Sequence, residues 1–184
     1  MAIESINNFR RFCFFGLAIM LMAACSTDED IKNFREYTGP VLEVDSSLTL
    51  YSDSAKVRVK VIAAKQFEFS NGNQEFPEGI YIEFYEVDGV LSSTLKADKG
   101  FYTKESDLYT AIGNVILISL LKDEKLNTEE LFWKRIEQRV YTDKFVRIET
   151  NEDILTGEGL TAKQDFSSYK ILKPAGTYSI EAEQ

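Results

Sequence analysis

The chain has 184 residues, 44% of them hydrophobic, with 21 basic and 30 acidic side chains and a net charge of −9. That balance lacks the basic footprint nucleic acid requires. The chain contains no histidine, which removes imidazole acid–base chemistry, Ser-His-Asp arrangements and histidine metal sites.

The first 24 residues read as a signal peptide. Arg10 and Arg11 precede an uncharged run from Phe12 to Ala24. About 13 residues suit a signal-peptide apolar region and fall short of the roughly 20 needed to span a bilayer. The run ends Met22-Ala23-Ala24-Cys25, similar to the motif at which lipoproteins are cleaved. Cys25 is therefore the expected lipid attachment and mature N-terminus. Cleavage discards Cys13 and leaves no free thiol. Losing two basic and one acidic residue takes the mature charge to −10, so attachment to a membrane rests on acyl chains rather than charge.

Residues 25–40 form an acidic tether, broken by Gly39-Pro40. One domain is expected over 41–184, since no second linker follows. Its dominant period is two. Lys56–Lys65 alternates, with Val57, Val59, Val61 and Ala63 on one face and Arg58 and Lys60 on the other. Gly79–Val87 is β-branched and aromatic, Asp88-Gly89 supplies a hairpin turn, and Leu91–Ala97 returns. Asp107–Ser119 is apolar, with Gly113-Asn114 as a bulge or bend. Near Asn127–Leu131 one helical turn is expected. Arg139–Thr150, Asp153–Lys163 and Ser167–Leu172 complete about nine or ten short strands. The expected class is all-β: a sandwich, jelly roll or open barrel. Trp133 should lie inside, sharing a face with Leu131.

A faint echo recurs at about 45 residues. Asp98-Lys99 precedes Gly113-Asn114, and Asp143-Lys144 precedes Gly157-Glu158-Gly159. Gly113 and Gly157 are the expected bends.

No chemistry-bearing motif emerges. Gly157-Glu158-Gly159 lacks the remainder of a phosphate loop. The acidic residues occur in clusters typical of solvated surface, and no calcium loop is present. The reading is a non-enzymatic protein with no catalytic residues, no metal and no cofactor.

Several segments together resemble the LptC family of lipopolysaccharide export. They are Tyr51-Ser52-Asp53-Ser54, Leu95 to Tyr102, Ala111-Ile112-Gly113-Asn114-Val115, Glu130-Leu131-Phe132-Trp133, Val140 to Ile148, and Leu155 to Ala162 with Asp165-Phe166. The resemblance implies a twisted, open β-jelly roll, or OstA-like β-sandwich, that holds lipid acyl chains. It implies lipopolysaccharide as cargo. It also implies docking to an inner-membrane ABC transporter and to an LptA-like bridge protein by edge-strand pairing. Many family members keep an N-terminal membrane helix, which the acyl anchor at Cys25 replaces here. The periplasmic face of the inner membrane is the expected location; Ser26 and the acidic stretch behind it leave the outer membrane open. By alternation, the lipid-lining candidates are Val57, Val59, Val61, Ile82, Phe84, Ala111, Val115, Leu117, Val146 and Ile148. The competing reading is an outer-membrane or surface lipoprotein whose β-sandwich is a packed binding module.

Overall fold

The computed structural model describes residues 37–175. Residues 1–36, with the expected signal peptide, Cys25 and most of the tether, lie outside the described residues, as does 176–184.

Eleven strands form one antiparallel sheet among the described residues. They are β1 (Leu42–Asp53), β2 (Lys56–Glu68), β3 (Gln74–Phe76), β4 (Ile80–Tyr85), β5 (Leu91–Ala97), β6 (Lys99–Thr103), β7 (Leu108–Ser119), β8 (Glu124–Lys134), β9 (Arg139–Glu149), β10 (Ile154–Lys163) and β11 (Tyr169–Ala175). The expected all-β jelly-roll class is observed. Period-two sequence becomes period-two burial: in β4, Ile80, Ile82 and Phe84 are buried and the residues between them are not. The expected Asp88-Gly89 turn joins β4 to β5, with Gly89 at φ +89° and the Val90 amide donating to Asp88 Oδ1 at 3.0 Å.

The long strands β7 to β10 each serve two half-sheets. β7 pairs along its length with β8, but its C-terminal part pairs with β5 and its N-terminal part with β6. β5 and β6 are separated only by Asp98. The register shifts where Ile112 to Val115 of β7 faces Thr128 to Glu130 of β8, where Thr128 to Phe132 of β8 faces Tyr141 to Val146 of β9, and where Thr142 to Phe145 of β9 faces Glu158 to Leu160 of β10, with the extra residues of these bulges on β7 and β9. They line up across the sheet and fold it upon itself, because a bulge adds local bend and twist. The second half-sheet thus packs onto the first, as where Phe84 of β4 meets Trp133 of β8 edge-on at 5.1 Å. On one flank β2, β4, β5, β7, β6 and β3 pair in a closed ring. Elsewhere, among the described residues, two edges remain: β1 pairs only with β2, and β11 only with β10.

The 45-residue echo has a structural meaning. Asp98 lies opposite Gly113-Asn114: its amide donates to the Gly113 carbonyl at 2.9 Å, and the Asn114 amide group donates to its carboxylate at 2.6 Å. Asp143-Lys144 lies opposite Gly159 across β9 and β10. Each copy sets an Asp-Lys pair opposite a left-handed glycine; Asp98 separates β5 from β6, whereas Asp143-Lys144 lies inside the continuous β9.

Three expectations are corrected. Asn127–Leu131 is not a helical turn; it is the middle of β8. The register shift against β9 puts the buried residues of β8 at Leu126, Thr128, Leu131 and Trp133, and the three-residue step from 128 to 131 mimics helical spacing. Secondly, the bend in β10 is Gly159, at φ +77°, rather than Gly157. Gly157 is required for closeness instead: a Cβ there would fall 2.5 Å from Ile171 Cγ2 and from the Lys173 carbonyl. Thirdly, not every acidic residue of the clusters read as solvated surface is exposed: Glu124 is half-buried.

Gly113 is the bend expected in β7. Its φ is +79°, and an added Cβ would stand 3.1 Å from Asp98 Oδ2. Gly113→Val should therefore destabilise the fold by at least about 1–2 kcal/mol. Glu105→Ala, in the exposed β6–β7 turn, should stay within about 0.5 kcal/mol. Urea unfolding of both variants measures the difference.

Candidate functional site

The interior between the half-sheets is built from cross-strand rows. On the first half-sheet, register places Val61, Ile82, Leu95, Leu117, Leu126, Ile148 and Leu155 side by side across β2, β4, β5, β7, β8, β9 and β10. The row crosses six inter-strand gaps, about 29 Å at about 4.8 Å each. No polar side chain interrupts it. On the second half-sheet a partly aromatic row runs Tyr102, Tyr109, Trp133, Val140, Ala162, Tyr169. An aliphatic wall and an aromatic one therefore enclose a continuous apolar interior, oriented across the strands.

One end of that interior is an aromatic cluster. Trp133 is 1% exposed. Tyr109 packs on it at 5.0 Å between ring centroids, and Tyr102 on Tyr109 at 4.7 Å. Tyr51, from edge strand β1, meets Tyr109 and Trp133 edge-on and shares a 2.8 Å hydrogen bond with the Tyr109 hydroxyl. Burial, then the neighbouring Tyr51, pushes the Tyr109 hydroxyl well above the ordinary tyrosine range, so it stays neutral. The Arg135 guanidinium lies 4.7 Å above the Tyr51 ring. Its Nε and Nη2 donate to Asp107 Oδ1 at 3.1 and 3.0 Å, and the Tyr102 hydroxyl donates to the same oxygen. Among the described residues no group of His, Cys, Asp and Glu is placed to hold a metal, and no helix is long and apolar enough to cross a membrane.

A family model described as lipopolysaccharide assembly, LptC-related, matches residues 45–179, well over half of the chain. The chain belongs to this LptC-related family. No curated protein sequence matches it significantly. Membership places this LptC-related chain in lipopolysaccharide transport within the cell envelope, in a family of lipid transport rather than catalysis.

Of the ten lining candidates, nine are in the shared interior: Val59, Val61, Ile82, Phe84, Ala111, Val115, Leu117, Val146 and Ile148 are each 5% exposed or less. Val57 is only half-buried, beside the β1–β2 turn. Alternation alone missed Leu95, Leu126 and Leu160, all buried. Leu126 was hidden by the false helical spacing. Phe166, wholly buried, lies in a turn and not a strand, where alternation gives no signal.

Two measurements follow. Iodide should quench Trp133 weakly in the native protein and strongly after unfolding. Leu126→Ala, at the centre of the aliphatic row, should cost about 2–5 kcal/mol of stability by urea denaturation.

Proposed function

We propose that this LptC-related protein carries lipopolysaccharide through its apolar interior, taking it from an inner-membrane ABC transporter and passing it to an LptA-like bridge protein. The observation that carries the reading is the uninterrupted aliphatic row from Val61 to Leu155, within a chain of the LptC-related family. Leaving an acyl chain of about 12 methylenes in water costs on the order of 10 kcal/mol. A carrier must therefore offer apolar surface along the whole path. A row running across seven strands has the right chemistry, and it needs no catalytic group. The free edges of β1 and β11 are where neighbouring proteins would add strands and extend the path. Acylation at Cys25 would hold the domain on the periplasmic face of the inner membrane.

The close packing of the interior favours a second reading, a packed, non-enzymatic binding module on the outer membrane or cell surface. Site-specific photo-crosslinking separates the two. A photoreactive residue at Val59, Phe84 or Val115 should yield a lipopolysaccharide adduct in irradiated cells. One at Lys60 or Glu83 should not, because these two pair at 3.3 Å on the outer face. Absence of adducts at all three inward positions, in a folded and correctly localised protein, would favour the packed module.

A further inference from the structure

The two walls of the interior are in contact, so an acyl chain can enter only if something leaves. Most of the buried apolar side chains belong to strands, and withdrawing one would break ladder hydrogen bonds. Phe166 is different. It is 0% exposed, yet it sits in the β10–β11 turn, with φ at +56°. A non-glycine residue in that region costs about 1–2 kcal/mol and persists only where its surroundings impose it. Its ring stacks on Tyr169 at 4.8 Å.

The same turn is fastened to both walls by one polar residue. Gln164 is 8% exposed. Its Oε1 accepts from Trp133 Nε1 at 2.9 Å, its carbonyl accepts from the Ser93 hydroxyl of β5 at 2.7 Å, and its amide donates to the Gln138 carbonyl at 2.9 Å. Ser93 belongs to the first half-sheet, whereas Trp133 and Gln138 belong to the second half-sheet and its β8–β9 turn. Inside the turn, the Phe166 amide donates to the Lys163 carbonyl, and the Ser167 amide to Asp165 Oδ1. These local bonds would keep the turn intact if it moved as a unit. A buried glutamine is stable only while its partners are made, or once it reaches water, and Gln164 borders a cleft lined by Arg58, Glu86 and Glu137. A turn moved into water would leave Gln164 hydrogen-bonded there instead.

We propose that the Gln164–Ser168 turn is a built-in plug: Phe166 fills part of the lipid path in the unloaded protein, Gln164 clasps it shut, and loading swings the turn outward. The proposal rests on the carrier reading above and adds how the path is gated. Strained backbone at Phe166 lowers the free energy needed to release it, and exit of residues 164–168 breaks no β-ladder of the walls, since Lys163 stays paired with Arg139.

The test uses the intact mature protein with dispersed hexa-acylated lipid A. Hydrogen exchange by mass spectrometry should show the amides of Gln164 and Phe166 exchanging faster in the lipid-bound form, while those of Leu117 and Leu126 slow. Emission from Trp133, the chain's only tryptophan, should shift as its bond to Gln164 breaks. Phe166→Ala should bind lipid A roughly fivefold or more tighter, the change expected from removing a closed-state preference of about 1 kcal/mol. Gln164→Met keeps the side-chain length, removes the acceptor for Trp133, and should act in the same direction; it decides the matter if Phe166→Ala does not fold. Greater protection of the turn on loading, or variants that bind no tighter than wild type, would overturn the plug and leave the carrier reading standing. Failure of wild type and both variants to bind lipid A would overturn both.

Discussion

Strands β7 to β10 each run through both walls of the interior, and the bulges between them make this possible. A flat sheet would leave one apolar face in water. The left-handed positions at Gly113, Asn114 and Gly159 let the chain turn back over itself without ending its strands. Side-chain alternation then does the remainder. Because successive residues point to opposite faces, every inward position on either half-sheet meets the other across the fold. The aliphatic row and the aromatic row are consequences of this single bend. So is the position of Trp133, which sits on the second wall and touches Phe84 of the first.

Much of this was legible in the sequence, for a physical reason. Where a strand is half-buried, period-two hydrophobicity and period-two burial are the same fact. The inward faces of β2, β4 and β9 could therefore be read directly. The reading failed where a bulge resets the alternation. In β8 the inward positions step from Thr128 to Leu131 where the register shifts against β9, which gives apparent helical spacing at Asn127–Leu131. In β10 two glycines stood two residues apart, and their jobs could not be told from spacing. Gly159 takes the left-handed bend, while Gly157 lets β11 approach. Strands β3 and β6 are three and five residues long, too short to show a period at all. The plug residue Phe166 was invisible to the method, because its burial comes from a turn.

The interior is unusual in how it handles polarity. Along the aliphatic row there is none. Polar groups enter at its margins, and two clusters are paired there: Gln164 with Trp133 and Ser93, and Asp107 Oδ1 with Arg135 and Tyr102. Both clusters tie together elements distant in the chain. Tyr51 links edge strand β1 to the second wall through Tyr109, and Gln164 links the two walls to each other. Hydrogen bonds of this kind each add roughly 0.5–1.5 kcal/mol net. On the carrier reading, that is enough to hold the unloaded interior closed and small enough for an acyl chain to overcome.

The central claim is that this apolar interior is a lipid path in a working envelope protein. It is tested most directly by what the native protein holds. The protein would be extracted mildly from envelopes and examined intact by native mass spectrometry, with release and identification of any bound lipid. The account predicts a population carrying one lipid A-bearing molecule, displaced when Leu117 or Leu126 is replaced by a charged residue in a chain that still folds. Protein that carries only phospholipid, or no lipid under conditions that preserve lipid complexes of other envelope proteins, would contradict it.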